Sequence, residues 1–393
     1  MIIEPRIRGF ICTTAHPLGC EAHVNQQIAY VQSKRKIKGG AQKVLVVGAS
    51  TGYGLASRIT VAFGCGAATL GVFFEKPAES GRTASAGWYN ALSFERTAQK
   101  SGLYSKNING DAFSNEIKNQ TIQEIKKDLK KIDLFIYSLA APLRVHPKTG
   151  EKHRSVLKPI GTSYQSKTVD ANTGVVSTIS IDSATPDEIN QTISVMGGED
   201  WALWVSALQE AGVLDQNFLT VAYSYIGPDL TYPIYRNGTI GRAKEDLERT
   251  AQSLKNQLKS LNGQATVSVN KALVTQASSA IPVVPLYIAI LYRIMKQNNT
   301  HEGCIEQMHR LFSGQIYNGK KIETDINQRI RMDDWELRTD IQEQVKQVWA
   351  EVTTENIFEI SDLKGYQQEF LKLFGFGITG VDYSADVNPQ ITS

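Results

Sequence analysis

The sequence is poor in the residues that build disulfide frameworks and metal centres. Its 393 residues include few cysteines, with no Cys-x-x-Cys pair and no histidine at metal-ligand spacing from them. The cysteines are Cys12, Cys20, Cys65 and Cys304. We therefore expect reduced, mostly buried thiols and no metal site.

Long hydrophobic runs and a strong charge of either sign are also missing. The longest apolar stretch, residues 281–295, is interrupted by Pro282 and Pro285 and falls short of the roughly 20 residues that a membrane span needs. Residues 1–6 lack the apolar core of a signal peptide. A formal net charge of +3 gives no indication of nucleic-acid binding. These absences predict a cytoplasmic protein with no membrane span and no nucleic-acid partner.

The most informative stretch that is present is a glycine turn behind a buried strand. Four apolar residues, 44–47, lead into Gly48, Gly52 and Gly54. Glycines let the backbone approach a diphosphate closely, and the following helix N-terminus directs free N–H groups towards it. The spacing Gly-x3-Gly-x-Gly is typical of the short-chain dehydrogenase variant of the Rossmann fold. A dinucleotide site is therefore expected at this turn.

The rest of the chain continues the alternation of strands and helices. Further strands are predicted at 68–74, 103–108, 132–138, 218–225 and 265–269. This rhythm predicts an α/β fold, a doubly wound parallel sheet in a single Rossmann-type catalytic domain over 1–393. Residues 142–215 break the rhythm and are interpreted as an insertion covering part of the substrate site. Residues 278–393 are expected to be mostly helical, with a C-terminal helical extension over 300–393.

Two acidic residues after predicted strands suggest how a dinucleotide is held. Glu75 ends the second strand, where a carboxylate accepts hydrogen bonds from the adenosine ribose and repels a 2′-phosphate. It therefore favours NAD(H) over NADP(H), although a surface pair with Lys76 is the alternative and Lys76 leaves room for NADP(H). Asp111 follows the third strand, where it is expected to contact adenine or, equally, to cap the next turn, with Ser114 opening the helix.

A tyrosine–lysine pair follows the fifth strand. Tyr225 ends that strand, Tyr235 lies in the next loop, and Lys244 lies in the following helix. A phenol has a pKa near 10, and a neighbouring ammonium favours its ionised form. Tyr235 is therefore predicted to donate a hydrogen bond or proton, with Lys244 tuning it and holding the nicotinamide ribose. The alternative is an ordinary loop tyrosine and a surface lysine.

These motifs resemble those of a known family, the trans-2-enoyl-CoA and enoyl-acyl-carrier-protein (ACP) reductases, a long divergent branch of the short-chain dehydrogenases. The Tyr-x8-Lys spacing is the most specific mark, since Thr239 and Arg242 exclude the Tyr-x3-Lys and Tyr-x6-Lys patterns of related branches. The likeness covers nearly the whole chain. The matching pieces are His16-Pro17-x-Gly19-Cys20, the turn Gly48–Gly54, Tyr225, Tyr235-x8-Lys244 and Gly375–Tyr383.

The resemblance implies NADH-dependent reduction of the C2=C3 bond of trans-2-enoyl thioesters, carried on coenzyme A or acyl carrier protein, in fatty acid synthesis by a monomeric enzyme. It implies Tyr235 as proton donor, Lys244 as its catalytic partner and Tyr225 as a substrate contact. The implied cofactor contacts are Gly48, Ala49, Ser50, Thr51, Gly52, Tyr53, Phe74, Glu75, Asp111, Ala112, Leu139, Ala140, Lys244, Leu273, Val274 and Thr275. Residues 281–290 are expected to line the acyl tunnel or, equally, to pack in the core.

Other functions stay open at this point. A carbonyl-reducing dehydrogenase is disfavoured because Tyr-x3-Lys is absent. A non-catalytic NAD(H)-binding sensor is disfavoured because both members of the tyrosine–lysine pair are present. The insertion could also bind a partner protein as an added role.

Overall fold

The structure, a computed structural model, describes residues 1–79 and 81–391. Its described strands, in chain order, are β1 (Ile7–Arg8), β2 (Ile11–Cys12), β3 (Lys43–Val47), β4 (Ala68–Phe73), β5 (Ser105–Asn109), β6 (Ile132–Tyr137), β7 (Leu143–Val145), β8 (Lys152–Arg154), β9 (Tyr164–Val169), β10 (Val176–Ile181), β11 (Leu214–Ser224), β12 (Gln264–Val269) and β13 (Arg329–Arg331).

Seven of these strands form a parallel sheet in the order β13-β12-β11-β6-β3-β4-β5. The chain order reverses between β3 and β6, which opens a crevice at the carboxyl ends of those two strands. The expected doubly wound fold is confirmed, with the six predicted strands present and their ends shifted by a few residues. The seventh strand, β13, was not predicted, because three residues rich in arginine give no apolar run to detect.

The helices cover both faces of the sheet. In chain order they are α1 (Pro17–Gln32), α2 (Gly52–Ile59), α3 (Ala86–Lys100), α4 (Asn115–Glu124), α5 (Pro186–Met196), α6 (Glu199–Glu210), α7 (Thr239–Gln257), α8 (Gln276–Ser279), α9 (Val284–Gln297), α10 (Cys304–Arg310), α11 (Thr339–Glu351), α12 (Ile357–Ile360) and α13 (Leu363–Lys372). In the described part of the chain, no helix is both long and apolar enough to cross a membrane.

The side chains of β3 alternate between two separate apolar layers. Val44 and Val46 are buried with residues of α1, α2, α3 and α10, whereas Leu45 and Val47 are buried with residues of α4, α6 and α7. This alternation is the period of two that a strand imposes on its side chains. A central strand buried on both faces explains the uninterrupted apolar run of the sequence.

A third apolar layer is built around α9. This helix is buried along most of its length and packs with α11 and α13 and with the hairpin β9–β10. Residues 142–198 supply that hairpin, the hairpin β7–β8 and α5, whereas α6 packs on the sheet through Trp201 and Trp204. Residues 142–215, where the alternation of strands and helices is interrupted, therefore contain additional hairpins followed by one helix that covers the sheet.

The first and last matching motifs of the sequence meet in space. A Cβ on Gly19 would lie 1.7 Å from the carbonyl oxygen of Gly375, and Gly375 itself has a φ of +77°. The His16 amide donates to the Phe374 carbonyl at 2.9 Å. Glycine is needed at both positions because α1 and the segment after α13 touch through their backbones. These motifs therefore serve backbone packing.

Candidate active site

The glycine turn packs its backbone tightly against the end of β6. Gly48 has a φ of +84°, and a Cβ there would lie 1.9 Å from the Ser138 carbonyl oxygen. A Cβ on Gly54 would lie equally close, 1.9 Å, to the Gly48 carbonyl oxygen. The turn thus brings β3, β6 and the start of α2 into contact at the crevice. This leaves the backbone N–H groups of the first turn of α2 available for an anion.

Glu75 is tied to this turn by hydroxyl groups. Its carboxylate accepts hydrogen bonds from Ser50 at 2.7 Å and from the Ser85 hydroxyl. Asn109 accepts from the Glu75 amide at 2.8 Å, which fixes the backbone just after β4. Within the described residues Glu75 forms no ion pair with Lys76, so the alternative of a surface pair is wrong. The neighbouring Phe74 is 78% exposed beside the crevice.

The turn after β5 is held by capping hydrogen bonds and by a buried ion pair. Asp111 accepts from the Phe113 amide at 2.9 Å, while Ser114 caps α4. The Ala112 carbonyl accepts from Lys118 at 2.9 Å, and Lys118 pairs with Asp200 at 2.8 Å. A carboxylate and an ammonium that are both buried need such partners. Sequence reasoning did not find the Lys118–Asp200 pair, because its members lie far apart in the chain.

The segment 273–275 follows β12 at the same edge of the sheet. Thr275 caps α8, and the Ser278 hydroxyl donates to the Leu273 carbonyl at 2.6 Å. The hydroxyl of Tyr53 on α2 donates to the Lys271 carbonyl at 2.7 Å, which links the glycine turn to this segment. Leu139 and Ala140 follow β6, which lies between the glycine turn and this segment. The predicted cofactor positions therefore follow the carboxyl edge of the sheet.

The predicted catalytic residues gather at the end of β11. The rings of Tyr225 and Tyr235 meet edge to face, with centroids 4.6 Å apart and an interplanar angle of 90°. Lys244 lies on α7, and its ammonium donates to the Tyr223 carbonyl at 3.1 Å. The loop between β11 and α7 thus places both phenols beside the end of the strand, and the backbone of α7 sets the position of Lys244.

Burial and a neighbouring carboxylate favour the neutral form of Tyr235. Burial raises the pKa of Tyr235, and the negative charge of Glu336 raises it further. Burial also lowers the pKa of Lys244 to about 8, partly opposed by Glu248. The Lys244 ammonium is directed to the Tyr223 carbonyl, and its effect on the ionisation of Tyr235 stays a prediction. Tyr235 is a neutral phenol at neutral pH, the form that can donate.

Sequence reasoning also missed a buried carboxylate beside these tyrosines. Glu336 is fully buried and accepts from the hydroxyls of Tyr225 at 2.9 Å and Tyr287 at 2.7 Å. Its other oxygen accepts from the Ala272 amide at 2.7 Å. Burial raises the pKa of Glu336, whereas Lys271, Tyr287 and Ala272 counteract that rise. No signal in the sequence marks it, since the acidic run 333–336 is typical of a surface turn.

An apolar cavity of about 600 Å³ lies next to α8. Its lining includes Ile281, Pro282, Pro285, Tyr366, Phe370 and Ser279. The Ser279 hydroxyl donates to the Thr275 carbonyl at 2.9 Å, so the cavity adjoins the predicted nicotinamide segment. Of residues 281–290, Ile281, Pro282 and Pro285 lie at the cavity, and the rest of α9 packs in the core.

Three family models match consecutive parts of the chain. Residues 2–80 match the NAD(P)H binding domain of trans-2-enoyl-CoA reductase, and residues 82–317 match the trans-2-enoyl-CoA reductase catalytic region. Residues 324–387 match a model described as an enoyl reductase FAD binding domain.

Individual relatives are similar over their full lengths. An enoyl-[acyl-carrier-protein] reductase [NADH] from Flavobacterium psychrophilum is 61% identical, over 100% of this chain and 98% of the relative. One with the same name from Opitutus terrae is 60% identical, over 100% and 99%. The crystal structure of Treponema denticola trans-2-enoyl-CoA reductase in complex with NAD superposes with a TM-score of 0.95 at 49% identity, covering 98% of each chain.

Proposed function

This chain belongs to the trans-2-enoyl-CoA reductase family, and on that basis we propose that it reduces the C2=C3 double bond of trans-2-enoyl thioesters with NADH, with Tyr235 as proton donor. One observation carries the assignment of Tyr235. The Tyr225–Tyr235 pair, with ring centroids 4.6 Å apart, stands at the carboxyl edge of the sheet where a dinucleotide is expected.

The residues present fit NADH. Gly48 and Gly54 pack against the carbonyl oxygens of Ser138 and Gly48, so only glycine fits at either position of this tight turn before the N-terminus of α2. Glu75 supplies a carboxylate for the adenosine ribose, held in place by Ser50. Lys244 would hold the nicotinamide ribose. When bound, NADH supplies the hydride that reaches C3 of the substrate.

Tyr235 acts where charge develops during the reaction. As C3 gains hydride, negative charge moves to the thioester oxygen, and a neutral phenol beside it stabilises that charge by donating a hydrogen bond. Addition of a proton at C2 completes the saturated acyl thioester, so one hydride and one proton are consumed. The raised pKa of Tyr235 keeps its proton in place until the oxygen becomes basic.

The apolar cavity beside α8 supports a site for the acyl chain. Its lining by Ile281, Pro282, Pro285 and Phe370 suits a hydrocarbon. We propose that the thioester lies between this cavity and the tyrosine pair. The relatives' names support acyl carrier protein or coenzyme A as the carrier. We also propose a place in fatty acid synthesis, a monomeric state and a cytoplasmic location.

A flavin does not fit the segment whose family model is described as FAD-binding. In its described part, Ile341, Val345 and Leu363 are fully buried in the core around α9. The charged residue in the described lining of the adjoining cavity is Asp170. Its carboxylate would repel the diphosphate of a flavin dinucleotide. We therefore derive no step through a flavin.

An NADH-oxidation assay tests the proposed function. We expect oxidation with crotonyl-CoA and with a long-chain enoyl-acyl carrier protein, and the ratio of their kcat/KM values identifies the preferred carrier. Acetoacetyl-CoA is the matched substrate for the carbonyl-reducing alternative and is expected to give no turnover. Absence of oxidation with both enoyl substrates would disprove the function.

A further inference from the structure

Glu336 occupies an unusual position for a carboxylate. It lies in the turn 334–337 before α11, far from the tyrosine–lysine pair in sequence, and it is fully buried. A buried carboxylate is unfavourable unless donors surround it. Here three donors from three other segments converge on it: Tyr225 after β11, Ala272 after β12 and Tyr287 on α9. The carboxylate thus connects the sheet edge to the helix beneath the cavity.

The direction of two of these hydrogen bonds is fixed by their surroundings. The Ala272 amide can only donate, and it reaches one carboxylate oxygen at 2.7 Å. The Tyr287 oxygen accepts from the Gln342 side-chain amide at 3.1 Å, and the same amide nitrogen donates to the Glu336 carbonyl at 2.7 Å. The Tyr287 proton is therefore directed to Glu336 at 2.7 Å. The site is built to accept an ionised carboxylate.

The third hydrogen bond reaches the active site. With the carboxylate ionised, the Tyr225 hydroxyl donates to it at 2.9 Å, so the Tyr225 proton is directed to Glu336. This fixes the ring of Tyr225, which in turn packs edge-on against Tyr235. In the described part of the chain, the hydroxyl of Tyr235 forms no hydrogen bond. Its position thus depends on its ring contacts, Tyr225 among them.

We propose that Glu336 is a positioning residue of the reduction: its carboxylate holds the Tyr225 phenol, and through that ring it keeps Tyr235 as the donor aligned with the thioester oxygen. The inference rests on the proposed function. It assigns Glu336 no contact with substrate or cofactor, so its effect must pass through Tyr225. A small misplacement of a donor at a reacting centre lowers turnover by up to roughly 100-fold.

A double-mutant cycle on the full-length protein tests this dependence. The wild type, Glu336→Gln, Tyr225→Phe and the double variant are compared by kcat and KM for crotonyl-CoA and NADH. We expect Glu336→Gln to lower kcat by about 10- to 100-fold, with the KM for NADH changed by less than about threefold. In the Tyr225→Phe background, the same substitution should have little further effect, because its target is already lost.

Asp333→Asn is the matched control. This carboxylate lies in the same acidic run and is also fully buried, but it pairs with Arg331 at 2.7 Å. Its loss should lower the unfolding temperature while leaving kcat near the wild-type value. Where Glu336→Gln does not fold, Tyr287→Phe replaces it in the cycle, since it removes one donor from the carboxylate.

Three outcomes would overturn the proposal. They are losses that multiply in the double variant, an equal loss of kcat in Asp333→Asn, and unchanged kcat in Glu336→Gln. A wild type that does not oxidise NADH with crotonyl-CoA or an enoyl-acyl carrier protein would instead disprove the proposed function, and the two failures are thereby distinguished.

Discussion

Replacing Tyr235 by phenylalanine removes one hydroxyl and leaves the aromatic packing in place. The edge-to-face contact with Tyr225, at 4.6 Å between centroids, needs only the ring, so the loop before α7 should keep its conformation. Burial and Glu336 raise the pKa of Tyr235, so its hydroxyl carries a proton at neutral pH. The substitution by phenylalanine therefore removes a proton donor. One donor to a developing oxyanion contributes roughly 100- to 1000-fold in kcat, about 3–4 kcal/mol. We expect a loss of at least this size.

The assay is steady-state NADH oxidation with crotonyl-CoA, together with NADH binding followed by fluorescence. Binding of NADH should change by less than about threefold, since the proposed action of the hydroxyl is on the substrate in the transition state. Tyr232→Phe is the matched control in the same loop, where the ring lies 5.9 Å from the Arg236 guanidinium and the hydroxyl forms no hydrogen bond in the described part of the chain. Turnover of Tyr235→Phe within about threefold of wild type would refute the assigned role.

Three further predictions concern the cofactor site. Glu75→Ala should raise the NADPH/NADH ratio of kcat/KM by about tenfold or more, because a like charge facing the 2′-phosphate is removed; an unchanged ratio would contradict this. Gly48→Ala should weaken NADH binding and lower the unfolding temperature, since its Cβ would lie 1.9 Å from the Ser138 carbonyl oxygen. Gly102→Ala is the control: Gly102 has a φ of +73° and open space around it, so this substitution measures only the cost of a left-handed backbone, about 1 kcal/mol. With the Lys244 pKa lowered to about 8, the ammonium is present at neutral pH and lost above it, so kcat/KM for NADH should decline on the alkaline side. In Lys244→Arg, whose side chain stays charged, that decline should disappear, and its persistence would assign it to another group.

The local parts of this protein are determined by its sequence. The apolar run 44–47 and the glycines after it specify a buried strand, a tight turn and a helix, because each feature depends on neighbours within a few residues. The spacing of Tyr235 and Lys244 is also a local feature, since the two residues lie in one loop and the helix that follows it. The strand rhythm also predicts the sheet, because parallel strands joined by helices have few alternative arrangements.

The tertiary structure decided which distant residues contact the tyrosines. The acidic turn that contains Glu336 comes about a hundred residues after Tyr235, and only the packing of α9 and α11 buries it against Tyr225. Burial and the charge of Glu336 also raise the pKa of Tyr235, and the sequence does not show that this carboxylate lies nearby. The pKa of a side chain depends on hydration and on charges from distant segments. The sequence therefore determined which groups are proposed to carry the chemistry, and the fold decided their partners and the direction of their pKa shifts.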